Sequence, residues 1–162
     1  MTDTDVPAHG RVRTETRLAS YDDRAAIASL RRAWTEENAG APIDDDGFTE
    51  RFDEWLRAEQ HQRLTWLAFV DDEPVGMLNL LVFTRMPRPG RPSPSEWGYL
   101  ANFFVHPAHR NAGLGAELLA ACTSYADERG FVRIVLSPSE RSVPLYARGG
   151  FEPATSLMSR TP

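Results

Sequence analysis

The chain has 162 residues, 23 acidic side chains against 18 lysine-plus-arginine side chains, a formal charge of -5 and one cysteine; all 18 of those cations are arginine, because lysine is absent. Without lysine there is no P-loop nucleotide site, no protein-kinase strand lysine and no pyridoxal Schiff base. The negative balance argues against a general nucleic-acid or anionic-membrane binder, and a lone cysteine allows no internal disulfide.

Hydrophobic and charged fractions of 41% and 25% are those of a globular chain, of a length that suits one domain with a real core. Residues 1–10 are polar with Pro7 and Gly10, which predicts a disordered lead-in to a single domain over 11–162. The opening lacks the apolar stretch of a signal peptide, and no apolar run approaches the ~20 residues of a membrane span. These features predict a soluble cytoplasmic protein with no membrane or nucleic-acid partner.

In chain order, residues 12–18 alternate as a short strand, and Ser20 stands at a helix N-cap with Asp22 and Asp23 in the first turn. Ile27, Leu30, Ala33 and Trp34 set an amphipathic helix to about Asn38. Gly40, Pro42 and the run Asp44-Asp45-Asp46 punctuate the chain before a second helical stripe of Phe48, Phe52, Trp55 and Leu56. The aspartates predict a cap for that second helix, not a calcium loop, because the twelfth position counted from Asp44 is Trp55.

Residues 64–70 and 75–83 read as a hairpin around the turn 71–74, followed by an exposed Pro/Arg connection over 85–95. That connection is a cleft rim, a dimer contact or a solvated loop. Residues 97–105 form the next strand and 106–112 a turn. A helix over 113–129 presents Leu114, Leu118, Cys122 and Tyr125 on one face, with Cys122 expected in the core. A buried strand is predicted over 131–136, a short helix over 143–148 with Ser142 as its cap, and a weak closing strand or hairpin over 151–158. Trp34, Trp55, Trp66 and Trp97 either line an acceptor pocket or pack in the core, with core packing the expectation for at least the first three. His106 and His109 lie three apart without a cysteine or acid beside them, so they predict no metal.

The informative stretch runs from Phe103 to Gly115: an apolar strand end, a seven-residue connection, then Gly113 and Gly115 opening a helix. The first N–H groups of a helix lack intrahelical partners and carry the positive end of its dipole, so they bind anions such as a pyrophosphate. Glycine removes side chains that would block close approach. A dinucleotide-binding site fits poorly, because the third glycine of G-x-G-x-x-G is missing and the next strand ends at Leu136-Ser137 without an acid.

Arg110-Asn111-Ala112-Gly113-Leu114-Gly115 resembles the R/Q-x-x-G-x-G/A acetyl-CoA loop of the GNAT N-acetyltransferase superfamily. Downstream, Leu136-Ser137-Pro138-Ser139-Glu140 followed by Leu145-Tyr146-Ala147-Arg148-Gly149-Gly150-Phe151 is similar to that superfamily's second signature, a strand end and then L-Y-x-x-x-G-F. The resemblance implies an α/β (α+β) single domain: a mixed, mostly antiparallel sheet with flanking helices and a central parallel strand pair, 97–105 and 131–136, that splays apart. It implies acetyl-CoA as cosubstrate and no metal. Pantetheine would add to the splay like a strand along Phe103, Phe104 and Val105. Its pyrophosphate would lie on the amides of Asn111, Ala112, Gly113, Leu114 and Gly115, with Ser139 and Tyr146 also among the cofactor-binding residues the resemblance implies. Arg110 either adds a charge-assisted contact or is a solvated loop arginine.

The same resemblance implies that the Val105 N–H stabilises the oxyanion and that Tyr146, either a half-buried anchor or a catalytic acid, donates a proton to the departing sulfur. Many relatives carry a glutamate four residues before the position of Val105, or an acid one residue later; Ala101 and Asn102 stand there. Glu96 acting through water, Asn102 holding a water, or an amine that arrives neutral are the alternatives for the base. Glu36, Glu37 and the aspartates between the first helices would attract a cationic amine.

The expected function is transfer of an acetyl group to a primary amine of a small molecule or peptide. The alternatives are a longer acyl group, or a catalytically weak acyl-CoA-binding regulatory module. A homodimer is compatible with the resemblance, and the acceptor's identity lies beyond any motif.

Overall fold

The computed structural model describes residues 12–91 and 95–160. The lead-in expected over 1–10, and residues 92–94 of the Pro/Arg connection, lie outside the described residues. The elements follow as β1 (Thr14–Leu18), α1 (Arg24–Ala39), α2 (Phe48–Glu59), β2 (Arg63–Val70), β3 (Glu73–Thr84), β4 (Glu96–Val105), α3 (Leu114–Glu128), β5 (Ile134–Leu136) and α4 (Val143–Arg148). The sheet order is β1-β2-β3-β4-β5, antiparallel except for β4 with β5. A parallel pair cannot be joined by a tight turn, and α3 supplies the crossover.

Local chemistry sets the boundaries. Ser20 and Asp23 form a reciprocal capping box on a single turn of 3-10 helix that feeds α1. Gly40, at φ 70°, ends α1 in the left-handed conformation. The β2–β3 turn is tighter than the four residues expected. Asp71 and Asp72 both adopt positive φ, 48° and 69°, the requirement of a two-residue turn matched to strand twist, and Glu73 and Pro74 already belong to β3.

The sheet is covered on both faces. On one, Ile27, Leu30, Phe52 and Leu56 of α1 and α2 pack on Leu67, Met77 and Phe104. On the other, Leu118 and Cys122 of α3 pack on Trp66, Leu78 and Leu80. Cys122 is fully buried as expected, and burial pushes its thiol up to about 12. Burying a leucine fully contributes about 1.5–3 kcal/mol, so positions such as Leu67, Leu78, Leu80 and Leu118 carry much of the stability.

Several expectations are corrected. β5 is three residues long and half-buried instead of a buried strand over 131–136, because the chain before it returns from α3 through Gly130, at φ 69°. No strand forms over 151–158, where the segment is largely exposed. Ser142 stands at the N-cap of α4 as expected, but its hydroxyl donates to the Ser139 carbonyl and makes no capping hydrogen bond. Gly47 occupies the N-cap of α2, while the Asp45 side chain pairs with Arg51. Trp66 is core, but Trp55 is 40% exposed and Trp34 only half-buried. No helix among the described residues is long and apolar enough to cross a membrane.

Candidate active site

The site begins where β4 and β5 part. β5 pairs with Gly98, Tyr99 and Leu100 only, so beyond Leu100 that edge of β4 has no strand partner among the described residues. A register shift between Asn79 and Leu80 leaves Ala101 as the extra residue of β4, opposite no partner on β3. Such a bulge bends a strand and re-aims the residues beyond it. The His106 N–H donates to the Val75 carbonyl at 2.8 Å on the β3 side. Successive backbone groups alternate in direction, so the N–H of Val105 points the other way, into the splay.

The chain then turns into α3. Asn111 at φ 60° and Gly113 at φ 90° take the left-handed conformation, and no side chain among the described residues caps the N-terminus of α3. A β-carbon at Gly115 would sit 3.6 Å from Leu145 and 3.8 Å from Phe103, ordinary contact distances. The protein therefore has room for a side chain there, and what glycine leaves open is the approach from the cleft.

The facing wall is α4. A β-carbon on Gly149 would meet Leu119 Cδ2 at 2.6 Å, so a glycine at this point lets the end of α4 lie directly on α3. That contact seats Tyr146, 8% exposed, between the rings of Phe103 and Phe151 at 6.0 and 5.7 Å. Burial pushes the Tyr146 phenol up to about 12, which keeps it protonated across the physiological range.

These parts enclose a cleft of about 1030 Å³. Phe103, Val105, Asn111, Gly113, Gly115 and Tyr146 all line it, as do Arg110 and Ser139. Phe104, Ala112, Leu114, Asn102 and Glu96 are not among its lining residues. The side chain of Phe104 is buried against α1 and α2, and that of Leu114 in the α3 core. Glu96 sits at the opposite end of β4, bound by both carboxylate oxygens to Arg129 at 3.0 and 3.1 Å.

Arg110 is neither solvated nor turned toward the α3 amides. Its guanidinium forms a two-pronged pair with Glu37 at 2.8 and 2.6 Å, and its Nε donates to the Val105 carbonyl at 2.8 Å. Sequence reasoning missed this pairing, as well as Asn38 on the same wall and the arginines 141 and 148 on either side of Tyr146 in the chain, while Trp34 lines the cleft as one of the tryptophans the sequence offers for a pocket wall. The arginines had a signal: a lysine-free chain must draw cationic phosphate contacts from arginine.

A second pocket, of about 650 Å³, lies between α1, α2 and the sheet. Ala101 lines both cavities, and Asn102 lines the second. Among the described residues, Glu37 is the only carboxylate lining the first cavity, and the second has none. Glu36 accepts from the Ile43 N–H, Glu37 is paired with Arg110, and Asp45 with Arg51. Three of the acids expected to attract a cationic amine are thus held in internal contacts, and Asp44 and Asp46 line neither cavity. His106 and His109 join no cluster that could hold a metal among the described residues.

Comparison with known proteins agrees with this architecture. A model of the acetyltransferase (GNAT) family matches residues 25–151. A glucosamine 6-phosphate N-acetyltransferase of Trypanosoma brucei brucei is 31% identical over 77 residues, 48% of this chain and 50% of that protein; the matched segment thus spans half the length of that relative. A GCN5-related N-acetyltransferase from Ralstonia eutropha JMP134 superposes with a TM-score of 0.67 at 28% identity, over 91% of this chain and 98% of that one. A predicted acetyltransferase from Clostridium acetobutylicum, solved with acetyl-CoA, gives a TM-score of 0.71 at 18% identity, over 92% and 96% of the two chains.

Proposed function

The chain belongs to the GNAT acetyltransferase family, and from that premise we propose that it transfers the acetyl group of acetyl-CoA directly to a primary amine of a small molecule or peptide. One observation carries the reading: a strand edge and a helix N-terminus that are unpartnered and uncapped among the described residues line the same cleft as a buried tyrosine whose phenol is pushed up to about 12 by burial. The residues present fit acetyl-CoA. The edge of β4 offers Phe103 and Val105 backbone groups to pantetheine, the amides from Asn111 to Gly115 offer donors to a pyrophosphate, and Arg141 and Arg148 are at hand for further phosphate.

Direct transfer requires the amine nitrogen to attack the thioester carbon and the carbon–sulfur bond to break. The Val105 N–H serves the negative charge that develops on the thioester oxygen, a donor already in position before reaction. Tyr146 donates its proton to the departing sulfur. At about 12 its phenol lies well above a thiol of ~8.5, so it acts as a relay whose proton is restored, not as an acid that stays ionised. The proton count closes when the proton lost by the attacking nitrogen replaces the one given to sulfur. With no carboxylate among the described residues lining the acceptor pocket, the amine enters neutral or its ammonium form first loses a proton to water, and the proton released after attack is the one that restores Tyr146.

Acceptor choice belongs to the pocket between α1 and α2, which meets the cofactor cleft at Ala101. Any protein lysine acceptor must lie on a partner, since this chain has none. A cytoplasmic location is part of the reading, supported by the single, buried free cysteine. The test is release of free thiol from acetyl-CoA across an amine panel; buried Cys122 adds no fast background. Turnover on at least one amine is expected. Coenzyme A binding without turnover on any would overturn the reading in favour of a regulatory module.

A further inference from the structure

Resting on that reading, we infer that the acceptor is a small amine that also carries an anionic oxygen group, a carboxylate or a phosphate, held by Arg63 and Arg31 in the pocket between α1, α2 and the sheet. Three arginines line this pocket, one each from α1, α2 and β2, and among the described residues no aspartate or glutamate does. They differ in how they are held. Arg51 is neutralised by Asp45 at 2.6 Å and is mostly in solvent.

Arg63 is the built element, with its side chain only 14% exposed. Its Nε donates to Glu59 at 3.2 Å and one terminal nitrogen to the Asn79 amide oxygen at 3.0 Å, while the guanidinium lies 4.6 Å over the Trp55 ring. The Asn79 amide nitrogen in turn donates to the Thr65 hydroxyl at 2.7 Å, inside the sheet face. A guanidinium fixed from three sides loses little freedom on meeting a ligand, and its planar fork matches a carboxylate or phosphate. From α1, Arg31 lies 4.9 Å over Trp34 and lines the same pocket.

The spacing suits a single small molecule. Asn79, to which Arg63 is bonded, pairs across the strands with Asn102, next to Ala101 where the two cavities meet. The anchored guanidinium and the meeting point of the cavities thus belong to neighbouring strands of one sheet face. The remaining walls include Ile27, Phe52, Trp55 and Met77, so the body between the two groups can be apolar. A purely cationic amine would meet three arginines on the walls, since the carboxylates paired with Arg51 and Arg63, those of Asp45 and Glu59, lie outside the pocket lining.

The experiment is the thiol-release assay at saturating acetyl-CoA on two matched pairs: leucine against leucinamide, and glucosamine 6-phosphate against glucosamine, each compared at equal concentrations of unprotonated amine. The anionic member of at least one pair is expected to be preferred about tenfold or more in kcat/KM, as hydrogen bonds to charged groups allow, and the preferred pair names the group. Arg63→Gln and the more exposed Arg31→Gln should each raise the acceptor KM and shrink that preference, with the KM for acetyl-CoA unchanged as the check on folding. Equal or better use of the neutral partner in both pairs overturns this inference and leaves acetyl transfer standing. Coenzyme A binding with no turnover on any amine overturns acetyl transfer, and this inference with it.

Discussion

The guanidinium of Arg110 and the carboxylate of Glu37 meet in a two-pronged pair at 2.8 and 2.6 Å across 73 residues of chain, tying α1 to the loop that opens α3. Because Arg110 also donates to the Val105 carbonyl, the helix, the loop and the end of β4 form one braced unit. A partly exposed pair contributes no more than about 1 kcal/mol. Arg110→Ala and Glu37→Ala are expected to lower Tm by about 2–4 °C each, to show a coupling of similar size in a double-mutant cycle, and to raise the KM for acetyl-CoA equally. A loss confined to Arg110→Ala would mean that its main work is on phosphate instead. The Arg110 hydrogen bond holds the Glu37 carboxyl below its ordinary 4.5, so this brace is complete above that value and is lost as pH falls through the lowered one.

Tyr146→Phe removes the proton donor while keeping the ring that packs on Phe103 and Phe151. Turnover should fall by about 10²–10⁴, the usual worth of a positioned acid, with the KM for acetyl-CoA and Tm little changed. Steady-state kinetics with both substrates varied checks this; an unaltered kcat removes Tyr146 from the mechanism.

No carboxylate among the described residues lines the acceptor pocket, so the ascending limb of the pH–rate profile should belong to the acceptor and not to the enzyme. Measured across amines of different basicity, the midpoint in kcat/KM should track the pKa of each amine. A midpoint that stays fixed would reveal an enzyme base. With Tyr146 pushed up to about 12, no descending limb from the phenol should appear below about pH 11.

Gly113 and Gly115 separate conformation from access. Gly113 sits at φ 90°, where an added β-carbon costs roughly 1–2 kcal/mol, so Gly113→Ala should lower Tm. Gly115 lies in the first turn of α3 with room around it, and alanine there favours helix by up to about 1 kcal/mol. Gly115→Ala should hold or raise Tm and leave acetyl-CoA binding little changed, because the added methyl makes only ordinary contacts and the R/Q-x-x-G-x-G/A pattern accepts alanine at this place. Thermal melts with and without coenzyme A read both effects at once.

Asp23 accepts from Arg17 at 2.7 and 2.9 Å and from the Ser20 N–H at 2.8 Å, which holds its carboxyl down to about 2 from 3.8. A depressed folded value stabilises above the unfolded one, so the contribution is complete above about pH 4 and is lost as pH falls toward 2. The full shift would correspond to ~2 kcal/mol; Arg17 is 39% exposed, and solvent screening reduces this to about 1 kcal/mol. Asp23→Asn should therefore lower stability to denaturant at pH 7, with the gap closing as pH approaches 2.

How much was legible depends on the range of the interactions. The spacing of Ile27, Leu30, Phe52, Leu56, Leu118 and Cys122 placed the main helices and their buried faces, because helical periodicity is written in neighbours a few residues apart. Gly113 and Gly115 announced an open helix start for the same reason. Burial of Tyr146 was less visible, since it depends on how closely α4 can lie on α3, and the length of β5 depended on where its partner strand diverges.

Residue type and short spacing were enough for the helices, the glycine-opened loop, the tyrosine motif and the want of a carboxylate at Ala101 and Asn102. What the charges do was settled by tertiary packing alone. Arg110 and Glu37 stand 73 positions apart and touch; Glu96 lies on the same strand as Val105 and is held at its far end by Arg129. Arg31, Arg51 and Arg63 come from three different elements and converge on one pocket. Charge acts through distance in space, and distance along the chain does not report it, so the arginine lining of this pocket and the internal pairing of Glu37 and Asp45 became visible only in the folded chain.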